Sequence, residues 1–541
     1  MTEQPWWKTA VIYQIYPRSF QDTNNDGIGD LQGIIQRLDY LNDGTENSLG
    51  IDAIWLSPIY PSPMKDFGYD ISNHTAVDAI YGTEQDFDEL LQEAHKRNIK
   101  ILLDLVINHT SDQHPWFQES RQDKTNPKQD WYLWHPGKKN KAPNNWFSTF
   151  ELKSAWWYDK QRKEYYMGTF TRYQPEVNWR NPELKNAMFD VIKYWLDKGV
   201  DGFRLDVVNW YIKDAEFRSN PWHIQLSPPD LQRHLYDRNQ PETHEICKQI
   251  RKIIDQYPDK TTVGEIYVEN LQNHKAIAEY YGDNDQLHLV FNFGLMRAKW
   301  NAGKFHKQIQ AWENTVPEQC QPTWTLSNHD QPRHYTRYKN SEERAKVAIA
   351  LLLTLRGTPF LYYGEEIGME NNKIPRKKIQ DPLGKTTWPF PLGRDPERTP
   401  MQWTPEQNAG FTTTTPWLPI HKNYIKKNVQ TQQQDRDSLL NHYKQLIWLR
   451  KKTPTLHKGT YKTLQTKAKH YLAYQRIYQD TVTTIFLNFT KKQQTIQEWQ
   501  QIFQNQTILF TTHPDKELNN ILQPYQILIL HSDNPTTSTT E

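Results

Sequence analysis

Cysteine is nearly absent: only Cys247 and Cys320 occur in 541 residues. They lie far apart and in no C-x-x-C or metal-like spacing, so a disulfide framework is not expected and both read as buried thiols. No run of about 18 apolar residues occurs, which argues against a membrane-spanning helix. The opening "MTEQPWWKTA" has neither a basic leader nor an apolar core of signal-peptide length. A charge excess is lacking too. Lys plus Arg number 65 and Asp plus Glu 63, so no net field would draw in nucleic acid or an acidic membrane surface. The expectation is a cytoplasmic protein, a monomer or weak homo-oligomer, whose partner is small and neutral.

What is abundant is aromatic. The 21 Trp, 29 Tyr and 20 Phe make up 13 % of the chain, a supply of flat apolar faces with polar tips that suits stacking on sugar rings. Short β-branched or aromatic runs alternate with longer amphipathic stretches: "AVIYQIYPRSF", "IDAIWLSPIY", "IKILLDLVINH", "VDGFRLDVV", "TTVGEIY", "LHLVFNF", "PTWTLSNHD" and "GTPFLYYGEE". Such interleaving predicts an α/β fold, a closed parallel (β/α)8 TIM barrel, with polar groups at the C-terminal strand ends where these barrels keep their active sites. An aromatic and charged insertion over residues 110–180 follows the third run and is too long for a simple loop. It predicts a subdomain over the barrel mouth. The barrel is then assigned residues 1–109 and 181–457, and alternating stretches such as "HYLAYQRIYQ" and "TVTTIFLNF" predict a C-terminal antiparallel β-sandwich domain over 458–541, with a disordered tail "NPTTSTTE".

Three strand ends each deliver a carboxylate: Asp206 in "FRLDVV", Glu265 in "VGEIY" and Asp330 in "SNHDQPR". One such acid reads as a loop anchor; three at successive barrel strands, with His and Arg neighbours, read as chemistry. Glycosidic cleavage needs one carboxylate as nucleophile or base and another as proton donor. Arg204, two residues from Asp206 on the same strand face, is expected to keep it ionised, and burial is expected to keep Glu265 protonated. Asp104 and Asn108 end the third run with His109, and His329 precedes Asp330. Both histidines fit as donors to sugar hydroxyls. No spacing supports catalytic zinc. In "DTNNDGIGD", Asp22, Asn24, Asp26 and Asp30 alternate around Gly27 like oxygen ligands of a calcium loop, so a structural Ca2+, or Mg2+, is expected.

Together, "YQIYPRSFQDTNNDGIGDLQG", "DFGYDIS", "DLVINHTS", "QPEVNW", "GFRLDVVN", "GEI", "SNHDQPR" and "RTPMQW" resemble the glycoside hydrolase family that contains α-amylase, and more closely its α-glucosidase and oligo-1,6-glucosidase branch. The resemblance covers nearly the whole chain. It implies that Asp206 is the nucleophile, Glu265 the general acid/base and Asp330 the acid that holds ring hydroxyls. Arg204, His109 and His329 would line the same subsite, and Tyr69 would stack on the bound glucose. It further implies that Asp70 and Arg398 close the pocket around a non-reducing end, giving exo-acting release of glucose with retained α configuration. The metal loop would add the carbonyl of Ile28.

Val207 follows the nucleophile, and within this branch a valine there goes with α-1,6 bonds, Thr or Ala with α-1,4 bonds. The reading therefore favours isomaltose-type substrates. Against it, "NWYIKDAEFRSNP" and "HLYDRNQPET" resemble members that prefer α-1,4 bonds, so a maltase-type enzyme is the alternative. "ISNHTAVD", with Asn73 and His74, departs from the family's usual "ISDYTDVD" near the expected pocket rim. A sucrose isomerase or transglucosidase would carry an R-L-D-R-D loop that is missing here. A transporter-subunit-like binding protein would have lost its acids, and an endo-acting amylase would have an open cleft.

Overall fold

The computed structural model describes residues 4–223, 231–268, 273–496, 502–503, 506–517 and 519–533. The tail "NPTTSTTE", expected to be disordered, lies outside the described residues. Eight short parallel strands form the barrel: β1 (Ile12–Ile15), β2 (Ala53–Leu56), β3 (Lys100–Leu105), β4 (Gly202–Leu205), β5 (Thr261–Gly264), β6 (Leu289–Val290), β7 (Thr323–Thr325) and β8 (Thr358–Tyr362). Their order in the sheet is β7-β8-β1-β2-β3-β4-β5-β6. The Thr323 hydroxyl donates to the Val290 carbonyl at 2.6 Å, bridging β7 to β6 and closing the ring.

The period of two along each strand sorts the side chains. Outward residues such as Tyr13, Ile54, Leu103 and Phe203 join the large core shared with the helices, while Ile12, Ala53, Leu102, Val263, Leu289 and Phe360 form a separate apolar plug inside the barrel. Two residues further along, the inward positions turn polar: Gln14, Asp104 and Arg204 are all buried. Asp104 pairs in register with Arg204 across β3 and β4. The polar layer is thus the C-terminal continuation of an apolar plug. At Gly202 the chain comes so close to β5 that a Cβ would lie 2.0 Å from the Thr261 carbonyl oxygen, so β4 can begin only with glycine.

The helices are set by local chemistry. Glu84–Lys96 starts in a capping box between Thr83 and Asp86. Pro182–Lys198 is capped by the Asn181 side chain and stops at Gly199 with a left-handed φ of 106°. Between β3 and that helix, a three-stranded antiparallel sheet (Trp134–His135, Trp156–Asp159, Glu164–Met167) packs around Leu133, Trp146, Trp156 and Met167. The C-terminal region carries a five-stranded antiparallel sheet within 460–532 and a two-stranded ribbon, Gln494–Thr495 with Ile521–Leu522. One face of the larger sheet packs on the barrel helices through Leu472, Ile485 and Ile529; the other meets the ribbon through Phe486 and Leu528. Cys247 and Cys320 are buried and unpaired. Among the described residues no helix is long and apolar enough to cross a membrane.

Candidate active site

Arg204 organises the mouth of the barrel. It is buried, and its Nη1 donates to Asp104 Oδ1 at 2.8 Å and Asp206 Oδ1 at 2.7 Å, while Nη2 donates to Glu265 Oε2 at 2.6 Å. Its guanidinium lies 5.0 Å from the Trp55 ring centroid. Strand geometry explains the gathering: Asp104 and Arg204 are inward residues of neighbouring strands, and Asp206 and Glu265 stand just past the ends of β4 and β5.

This layout extends one expectation. Arg204 was to favour the ionised form of Asp206 while burial kept Glu265 protonated, yet the same guanidinium serves both acids. Burial lifts the carboxyls of Asp206 and Glu265 above the usual range and Arg204 opposes it in each case. One cation therefore answers three buried carboxylates, Asp104, Asp206 and Glu265, and burial raises all three against it.

Asp330 has the opposite surroundings. Burial works against its charge too, but His329, Arg394 and Arg398 outweigh it and hold the carboxyl below the usual range. Arg398 Nη2 donates to Asp330 Oδ1 at 2.8 Å and its Nε to the His329 carbonyl at 2.7 Å. Around this acid the rings are fixed by hydrogen bonds: the Tyr69 hydroxyl donates to Asp104 Oδ2 at 2.9 Å and lies 2.7 Å from His329 Nε2, and Gln14 meets His329 Nδ1 at 2.8 Å. The Tyr69 and His329 rings are parallel, with centroids 5.3 Å apart. His109 Nε2 lies 3.0 Å from the Tyr69 carbonyl oxygen. Burial pushes the His109 imidazole down to about 3, so it is neutral.

Asp70 is not brought to the pocket. Its carboxylate is fully buried and accepts from Ser62 Oγ at 2.8 Å and from the N–H groups of Lys65 and Asp66, both at 2.9 Å, closing a turn of its own loop. The acid of "DFGYD" that faces the site is Asp66. It accepts from Gln174 Nε2 at 3.1 Å and from Arg394 Nη2 at 2.6 Å. Arg394 also donates to Asp330 Oδ1 at 3.1 Å and to Asp381. Arg398 is completely buried beneath this contact. In each motif the sequence offers two acids or two arginines four residues apart, and spacing alone does not choose between them.

Val207 has a left-handed backbone, φ 38° and ψ 48°, an outlier for a β-branched residue. Its N–H points to Glu265 Oε2 at 3.3 Å, and its side chain packs with Phe150, Phe170 and Trp210 beside Asp206. These three aromatics were not singled out in the sequence. A buried ion pair between Lys213 and Glu176 ties the returning arm of the inserted subdomain to the loop after β4. The departure in "ISNHTAVD" lies off the pocket: Asn73 caps Thr75 at the surface, and His74 is buried on the Val106 carbonyl and His114.

The loop from 22 to 30 has oxygen donors suited to a hard cation. Asp22 accepts from the N–H groups of Asn25 and Gly27 and from Thr412 Oγ1, Asn24 from Asp26, Asp26 from Ile28, and Asp30 from Thr23 and Gly33. Among the described residues no group of three or more His, Cys, Asp or Glu side chains is arranged to hold a metal ion; the donor set expected of this loop also counts the Asn24 side chain and the Ile28 carbonyl.

A (β/α)8 barrel whose mouth holds two facing acids on one arginine, with a third acid among basic partners, defines a glycosidase-type site. Residues 14–459 match the family model described as alpha amylase, catalytic domain, and the chain belongs to that family of glycoside hydrolases. It is 41 % identical over 86 % of both chains to a probable alpha-glucosidase of Rhizobium meliloti, and 39 % identical over 91 % of both to an oligo-1,6-glucosidase of Parageobacillus thermoglucosidasius. Among solved structures, an alpha-glucosyl transfer enzyme is similar with a TM-score of 0.90, at 36 % identity, covering 98 % of this chain and 100 % of that one.

Proposed function

We propose that this chain is an exo-acting retaining α-glucosidase that releases α-glucose from the non-reducing end of short α-glucosides, favouring α-1,6 bonds. The observation that carries the reading is the shared guanidinium: two carboxylates on adjacent nitrogens of one planar fork suit the short spacing of about 5 Å used in double displacement. Asp206 attacks the anomeric carbon while Glu265 gives its proton to the departing glycosidic oxygen. A water, losing its proton to Glu265, then cleaves the glucosyl ester and restores both acids. Asp330, kept ionised, holds ring hydroxyls with His329 and His109. Asp66, Arg394 and Asp330 wall off one side, which supports entry of a chain end only. The first anomer formed tests this: proton NMR during cleavage of p-nitrophenyl α-glucoside, whose leaving group is not a sugar, should show α-glucose ahead of mutarotation, and early β-glucose would refute it.

Transfer to a second sugar instead of water is the other reading, supported by the likeness to the alpha-glucosyl transfer enzyme. We also infer that the 22–30 loop would hold Ca2+ through Asp22, Asn24, Asp26, the Ile28 carbonyl and Asp30, serving stability because the loop is bonded to residues 411–417. Chelation should lower Tm without altering the pH profile of activity. The partner is a neutral oligosaccharide, without nucleic acid or membrane, and the reading extends to a cytoplasmic monomer or weak homo-oligomer, in keeping with balanced charge and two unpaired thiols.

A further inference from the structure

One run of apolar side chains stands in solvent beside this site. Trp388 is 45 % exposed, Phe390 69 % and Leu392 53 %, and Pro389 and Pro391 between them are exposed as well. Leaving three large apolar side chains of one pentapeptide in water is unusual for a surface with no ligand. The segment is a closed loop. The Asp381 carboxylate accepts from the N–H groups of Gly384 at 2.9 Å and Arg394 at 3.2 Å, and from Arg394 Nε at 2.8 Å. At this neck a Cβ on Gly393 would lie 2.6 Å from the Gly384 Cα, so the two arms cross in contact.

Both arms root in the pocket. Arg394 leads directly to Asp66 and Asp330. Leu383 packs on the cluster of Phe150, Phe170, Val207 and Trp210, beside Asp206. Val207 also lies against the acid, its N–H 3.3 Å from Glu265 Oε2, which puts the loop on the side where the departing sugar takes its proton. Its tip carries flat rings and no charge of its own; the Arg376 guanidinium lies 5.9 Å from the Trp388 ring centroid. A neutral sugar presents just such a surface with apolar C–H faces, which aromatic rings hold without an ionic partner.

We propose that Trp388 and Phe390 form an outer sugar platform that holds glucose units beyond the first one on the leaving side, and so sets the preferred chain length. The inference rests on the α-glucosidase reading and deepens it. The test compares kcat/KM for isomaltose, isomaltotriose and isomaltotetraose in the wild type, in Phe390→Ser, and in the double variant Trp388→Ser with Phe390→Ser. Wild-type values should rise by about three- to tenfold from isomaltose to isomaltotriose, the worth of one aromatic contact. The double variant should lose that rise while its isomaltose value stays within about twofold and its Tm is unchanged. An equal rise in wild type and variant, or none in the wild type, overturns the proposal. So does a wild-type dimer that the double variant dissolves without a change in chain-length preference, since the tip would then be a contact between copies. If isomaltose is not cleaved at all, the α-1,6 reading fails by itself. The platform is then read from isomaltotriose binding to Asp206→Ala with and without the two tip substitutions, where equal affinity overturns it.

Discussion

Asp66 and Arg394 are 328 positions apart in the chain and meet at 2.6 Å in the barrel mouth. The contact joins the loop after β2 to the segment after β8, and through Arg394 it reaches Asp330 at 3.1 Å. It closes one side of the pocket, and it distinguishes the two acids of "DFGYD" by their work. Asp66 faces the site; Asp70 holds a turn, with burial lifting its carboxyl to about 6.

That division predicts unequal mutants. Asp66→Ala should lower kcat/KM by about 10²–10³-fold, the effect of removing one preorganised charged partner from a site. Asp70→Asn should stay within a few-fold of wild type and lower Tm instead. Parallel kinetics and calorimetry check both, and equal kinetic losses would return Asp70 to the pocket.

Asp206→Ala should reduce kcat by more than about 10⁴-fold with the fold intact. Retained activity would remove Asp206 as nucleophile. In Glu265→Gln, substrates with good leaving groups should suffer least, because they need no proton; a uniform loss would assign Glu265 a binding role.

A third prediction concerns stability against pH. Glu366 is fully buried, accepts from the hydroxyls of Tyr13 and Tyr40 at 2.8 Å each, and burial pushes its carboxyl to about 7. The folded state holds this proton more tightly than the unfolded chain. Its contribution to stability is therefore complete below the ordinary carboxyl range and declines as pH rises toward 7. Glu366→Gln keeps the acceptor and removes the titration, so it should match wild type near pH 4 and exceed it by up to about 3 kcal/mol above pH 7. Denaturant unfolding at the two pH values reads the difference; a variant gaining nothing at pH 8 would contradict it.

The barrel was legible because its signals are local: runs of period two, turn residues and acids at strand ends. Asp206, Glu265, Asp330, Arg204, His109 and His329 meet because each sits on a barrel strand or within five residues of its end, whereas Tyr69, in the loop after β2, was named through the resemblance. Asp66 and Arg394 were missed for the opposite reason. Both lie in loops, where no periodicity fixes direction, and each has a same-type neighbour four residues away. The three-way sharing of Arg204 could not be read either, since Asp104 joins it only through the register of β3 and β4.

Val207 offers a fourth prediction. Its side chain lies among Phe150, Phe170 and Trp210 beside the nucleophile, so Val207→Thr adds a hydroxyl where the leaving sugar is expected. The α-1,6 to α-1,4 ratio should move toward α-1,4 by about tenfold, within the 1–3 kcal/mol that such pocket changes supply. An unchanged ratio would leave the valine a packing role only.

The most direct measurement is the ratio of kcat/KM for isomaltose and maltose, taken in parallel on the wild-type protein. The account predicts faster glucose release from isomaltose. Faster release from maltose would contradict the α-1,6 assignment and make this a maltase-type enzyme, and no glucose from either sugar would contradict hydrolysis itself.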